Sequence, residues 1–255
     1  MPVKQADSVY DFVFDSGAGI STITESYARK LNLTIVSDST VGITSGLTGN
    51  ITNAKLGIAP KLMLNNIEIH DCVFLIFPDS ALTFANGAYK INGIIGFPII
   101  KELGTLHFTG NQLTVTNEHL PKTGLRNMIM DQLKPVIYLK YKDDFLPFTF
   151  DSGAQGSIFS DVFYRKYQSE LEQTGKPADF KIGGASGEKT LSALRVPEIK
   201  LICGTNPIIL KNCVVSKEML DTNQDIYYGN IGQDVIGQFK TMIINFKESY
   251  IVFEN

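Results

Sequence analysis

Phe12-Val13-Phe14-Asp15-Ser16-Gly17-Ala18 returns later in the chain as Phe148-Thr149-Phe150-Asp151-Ser152-Gly153-Ala154. In each copy an aromatic-rich run with strand character delivers an aspartate into a Ser-Gly-Ala turn. One such carboxylate per half-chain suggests a pair brought together. Two close carboxylates that cannot both ionise form an acid–base couple able to activate water.

The repetition extends well beyond the turn. The aspartates are 151 − 15 = 136 positions apart, and Ser21/Ser157, Arg29-Lys30/Arg165-Lys166, Gly93/Gly229 and Gly96/Gly232 recur at that offset. Between these anchors the offset drifts to 141, where Gly42, Ser45 and Gly46 meet Gly183, Ser186 and Gly187, and Cys72-Val73 meets Cys213-Val214. Drift and return are what loop insertions do to a duplicated unit. A period this long exceeds the roughly 20–50 residues of solenoid repeats, so it reads as two homologous lobes. The expected lobes are 1–120 and 135–255. The junction at 121–134 lies in a stretch of mixed polarity that carries Pro121 and Gly124.

Length and composition fit this division. A chain of 255 residues supplies two lobes, each large enough to bury its own core. With 44% hydrophobic and 19% charged residues it has the balance of a globular protein. A net charge of −3 gives no electrostatic footprint for nucleic acid, and no apolar run approaches transmembrane length.

The pattern predicts mostly β structure with few short helices. Val136 to Tyr141, a turn at 142–144 and Phe145 to Phe150 read as a hairpin entering the second aspartate turn. Leu62 to Leu64 with Ile67 to Ile69, followed by a buried run Cys72 to Phe77, and Leu201 to Cys203 with Ile208 to Leu210, followed by Cys213 to Val215, read as equivalent hairpins. Thr24 and Ser160 are predicted N-caps for helices ending near Leu31 and Leu171, with further short helices after Gly96 and Gly232. The basic pairs Arg29-Lys30 and Arg165-Lys166 then fall near helix C-termini, where positive charge suits the macrodipole. One asymmetry stands out. Val3 to Ser8, in the place of the strand Val136 to Tyr141, is polar and unlike a strand. From this the natural protein is expected to extend upstream.

Two Asp-Ser-Gly-Ala turns, each followed about eighty residues later by a glycine-containing apolar segment (Ile91-Asn92-Gly93-Ile94-Ile95-Gly96 and Gly229-Asn230-Ile231-Gly232), resemble the aspartic peptidases of the pepsin and retropepsin kind. The alanine after the glycine and the compact lobes are more similar to retropepsin-like domains of bacterial type, here both in one chain. The resemblance implies a bilobal acid-protease fold with six- to seven-stranded barrel-like lobes. It implies that Asp15 and Asp151 share a proton and hold a water. Ser16 and Ser152 would brace the two turns, and the Gly17 and Gly153 N–H groups would bond the carboxylates. Neither metal nor cofactor is implied. The partner would be an extended peptide or protein bound by a monomer, a pseudo-dimer of lobes, with no nucleic acid and no membrane segment in this chain.

Three departures qualify the pattern. Ala18 and Ala154 stand where pepsin-like enzymes often carry a hydroxyl that donates to the carboxylate, so activity is expected at mildly acidic to near-neutral pH. Asn230 occupies a position where Ile94 stands in the first lobe, which weakens the expected packing of the second. The flap expected to close over substrate maps to Gly-rich stretches around Thr44, Ser45, Gly46 and Ala185, Ser186, Gly187, and neither carries pepsin's flap tyrosine.

Other chemistry-bearing residues read as structural. His70, His107 and His119 lack metal-ligand spacing. Cys203, placed opposite Ile208, would lie far from Cys213, so Cys72, Cys203 and Cys213 are expected as buried thiols. Two alternatives to an endopeptidase remain at this stage. A peptide-binding protein on the same fold would usually have lost one aspartate. A glycosidase would hold its carboxyl groups roughly 5 Å or more apart and need no lobe symmetry.

Overall fold

A computed structural model describes residues 1–5, 8–44, 51–64, 66–84, 87–117, 126–184, 187–219 and 226–255. The chain is mostly β, with few short helices, as its patterning predicts. It divides into two compact units, Met1–Ile100 with Ile182–Lys189, and Lys101–Lys181 with Thr190–Asn255.

In the second unit the hairpin Lys134–Tyr141 and Asp144–Phe150 forms as read, with Tyr141 opposite Asp144. The strand order continues through Gly229–Ile231, Ile158–Phe159 and Asn206–Ser216 to Gly187–Cys203. The ring closes where Lys140 pairs with Ile202. This is a six-stranded barrel, flanked by Met128–Asp131 and Lys176–Gly184. Closure lets Phe148, Phe150, Phe159 and Leu201 sit fully buried inside without exposing a sheet edge. Phe163 of the helix Asp161–Thr174 packs on Phe159 at 4.6 Å between ring centroids. A second sheet, Gln112–Thr116, Thr105–Thr109, Thr241–Asn245 and Tyr250–Glu254, completes this unit. Because Thr105–Thr109 pairs with Thr241–Asn245, the hairpin 105–116 is counted in the second unit, whereas the sequence reading drew the break at 121–134. Residues 121–125 of that stretch lie outside the described residues.

The first unit repeats these pairings strand for strand. Pro2–Gln5 pairs with Ser8–Asp11, and after Phe12 the chain resumes as the strand Val13–Phe14. Val13–Phe14 runs parallel to Gly93–Ile95, which is antiparallel to Thr22–Thr24. Thr22–Thr24 runs parallel to Ile67–Phe77, whose hairpin partner is Ile51–Leu64. Ile51–Leu64 returns to Pro2–Gln5 through Val3 opposite Leu64.

The polar start of the chain is therefore a strand, contrary to expectation. It is the counterpart of Lys134–Tyr141. Val3 is fully buried beside Leu64. Pairing on both sides outweighs a weak local preference.

Several local expectations need correction. Thr24 and Ser160 hold the N-cap positions of Glu25–Lys30 and Asp161–Thr174, but neither side chain caps its helix. Thr24 Oγ1 donates to the Asn92 carbonyl at 3.4 Å and Ser160 Oγ to the Tyr227 carbonyl at 2.6 Å, tying each helix start to the approach of the glycine strand. The second helix runs on to Thr174 across a kink at Tyr167, so Arg165 and Lys166 close its first segment. They pair with Asp161 at 2.6 Å and Asp144 at 3.1 Å. Cys203 faces Asn206 rather than Ile208, because the turn is Gly204-Thr205 alone.

Candidate active site

Each aspartate sits at the end of its strand, where the next residues turn back. The Asp15 N–H donates to the Ile95 carbonyl at 3.0 Å, and the Asp151 N–H to the Ile231 carbonyl at 2.9 Å. The side chain then organises the turn. Asp15 Oδ1 accepts from Gly17 N–H at 2.8 Å and Ala18 N–H at 3.1 Å. Asp151 Oδ1 accepts from Gly153 N–H at 2.8 Å and Ala154 N–H at 3.0 Å. Successive amides folded around one carboxylate oxygen make an anion-holding concavity. The alanines that lack a donating hydroxyl thus still donate through their backbone. Both aspartates are half-buried, whereas Ser16 and Ser152 are buried beside them.

Glycine is required where the closing strand passes the turn. A Cβ at Gly96 would lie 2.8 Å from the Ala18 carbonyl oxygen, and one at Gly232 would lie 2.7 Å from that of Ala154. This close approach lets Ala18 and Ala154 accept from Phe97 N–H at 2.8 Å and Gln233 N–H at 2.9 Å. The repeat-matched serines fasten the same place, Ser21 Oγ accepting from Gly96 N–H at 2.9 Å and Ser157 Oγ from Gly232 N–H at 3.0 Å.

Around this shared frame the second unit adds polar groups. Thr149 Oγ1 lies 2.6 Å from Asn230 Oδ1 and 3.2 Å from the Gly229 carbonyl oxygen. Asn230 Nδ2 reaches Asp151 Oδ2 at 3.4 Å. Gln233 Nε2 donates to the Ser152 carbonyl at 2.8 Å, and Ser157 Oγ donates to Asp234 at 2.6 Å. In the first unit the corresponding positions hold Val13, Ile94, Phe97 and Pro98. Asn230 was expected to weaken packing; instead it is hydrogen-bonded at both ends of its amide. Sequence reading did not assign these four residues a role, yet the departures from the repeat at offset 136 marked each of them.

Of the expected flap residues, Ser45, Gly46, Ala185 and Ser186 lie outside the described residues. Thr44 ends the strand Thr34–Thr44 opposite Ile51, and Gly187 begins Gly187–Cys203. His70 pairs with Glu68 at the surface, and His119 is outside the described residues. Among the described residues no group of His, Cys, Asp or Glu is arranged to hold a metal ion, and no helix is long and apolar enough to cross a membrane. The three cysteines are free and buried, and burial pushes each thiol up to about 11.

Residues 1–99 match the family model of aspartyl proteases. The matched residues include the Asp15 turn and the Gly93–Gly96 segment. Among solved structures, the crystal structure of conglutin gamma, a unique basic 7S globulin from lupine seeds, aligns over 100% of this chain and 94% of that one, at 9% identity and a TM-score of 0.49. No curated protein sequence matches the chain.

Proposed function

We propose that the protein is an aspartic endopeptidase in which Asp15 and Asp151 act as one catalytic pair. The observation that carries this reading is the duplicated construction of the two turns. Each carboxylate receives two backbone N–H groups on one oxygen, beside a glycine that admits the closing strand. The match of residues 1–99 to aspartyl proteases supports it. In the proposed reaction one carboxylate takes a proton from water while the other, protonated, donates to the scissile carbonyl oxygen. The tetrahedral diol then collapses with proton transfer to the leaving amine. Buried Ser16 and Ser152 would stiffen the two turns, and the Gly-rich stretches at 44–46 and 185–187 would cover an extended peptide in a monomer.

Retention of both aspartates and both Ser-Gly pairs favours an active enzyme over a peptide-binding relative on the same fold. Cleavage of a mixed peptide library tests this. Asp15→Asn and Asp151→Asn should each reduce kcat by at least about 100-fold, the lower end of general acid–base contributions. Unchanged cleavage in either variant would exclude the reading.

A further inference from the structure

The hydroxyl of Thr149 has one proton and two carbonyl-type acceptors, Asn230 Oδ1 at 2.6 Å and the Gly229 carbonyl oxygen at 3.2 Å. It therefore has two complete hydrogen-bonding arrangements. In the first it donates to Asn230 Oδ1, and the amide nitrogen of Asn230 faces Asp151 Oδ2 at 3.4 Å, as a carboxylate requires. In the second it donates to Gly229 and accepts from the Asn230 nitrogen. The amide is turned over, and its oxygen then faces Asp151 Oδ2, as a protonated carboxyl requires. Each arrangement gives the Thr149 proton an acceptor and keeps the Asn230 amide bonded at both its nitrogen and its oxygen. Thr149 is buried, so an unmade bond there would be costly. Of the nearby charges, Asp234 is already occupied by the N–H and hydroxyl of Ser157, at 2.9 Å and 2.6 Å.

We propose that Thr149 and Asn230 form a reversible support for Asp151, presenting an amide N–H to its carboxylate and an amide oxygen to its acid form. Asn230 is a positioning residue: it holds Asp151 in register on both sides of the proton transfer and takes no proton itself. Proton count is conserved in either role: as the base Asp151 takes a proton from water and passes it to the product amine, and as the acid it gives its proton to the carbonyl oxygen and recovers it when the diol collapses. The first unit has Val13 and Ile94 at these positions and lacks the device. The inference rests on the reading of Asp151 as half of the catalytic pair.

The test combines a spectroscopic and a kinetic measurement on the full chain. In a pH series of 15N spectra, the Asn230 side-chain amide resonances should shift as Asp151 titrates and stay flat in Asp151→Asn. Asn230→Ile and Thr149→Val should lower kcat by about tenfold with KM little changed, the worth of one hydrogen bond to a charged group. Amide resonances that ignore Asp151, or native kcat in both variants, would overturn the proposal. If the resonances respond while no peptide is cleaved, the support stands and the endopeptidase reading fails. Thermal melting of each variant separates either outcome from misfolding.

Discussion

The two aspartate turns share a backbone and differ in what surrounds it. In the first unit, Val13 and Ile94 pair across the parallel strands; in the second, Thr149 and Asn230 occupy the same register. On the neighbouring strand the polarity is reversed, with Thr22 opposite Ile94 and Ile158 opposite Asn230. The parts that stay alike are those no other residue could supply. These are a carboxylate that gathers two N–H groups, a glycine at van der Waals limit from a carbonyl, and a serine that fastens the glycine. The parts that differ are the side chains set around that shared backbone. Two turns of the same backbone geometry can thus take different chemical surroundings.

That comparison can be tested from both sides. The largest effect is expected at the close approaches. Gly96→Ala and Gly232→Ala each force a methyl against backbone, and each should cost about 1–3 kcal/mol of stability in denaturant unfolding. A marked inequality between them would show that the two frames are not equivalent. Ser21→Ala and Ser157→Ala each strand a glycine N–H, costing about 1–3 kcal/mol. Ser157→Ala should cost more, because its hydroxyl also serves Asp234.

A gentler probe is thiol chemistry. With each cysteine buried and pushed up to about 11, a disulfide reagent near pH 8 should label none of the three in the folded chain and all three after unfolding. Rapid labelling of Cys72 alone would show the first unit opening more readily than the second.

The smallest effect concerns the helix of the first unit. The Ser26 hydroxyl and N–H hold the Asp79 carboxyl below its ordinary value. A lowered folded value stabilises above the usual carboxylate range near 4 and is lost as pH falls through it. Ser26→Ala should therefore be slightly less stable than the native chain at neutral pH and converge with it in strong acid. A gap that persists at the lowest pH would assign the effect to packing.

Much of this was legible in the sequence, because it depends on local chemistry repeated at one offset. The aspartates, the glycines and the barrel hairpins all carry side-chain signals. What escaped depends on tertiary pairing. Pro2–Gln5 carries the buried Val3 and becomes a strand only because Ser8–Asp11 and Ile51–Leu64 flank it. Nothing local shows that after the kink at Tyr167 the helix resumes and continues to Thr174. Thr149 and Asn230 were visible as departures from the repeat, but their meaning required knowing that parallel pairing places them side by side.

The central claim is that two turns, one from each half of a duplicated chain, make a single catalytic centre. It is tested most directly by comparing peptide cleavage in Asp15→Asn, Asp151→Asn and the double variant. One shared centre predicts that each single variant is as inactive as the double. Two independent centres, or none that uses these carboxylates, would leave each single variant with about half of the native rate or all of it, and that result would contradict the account.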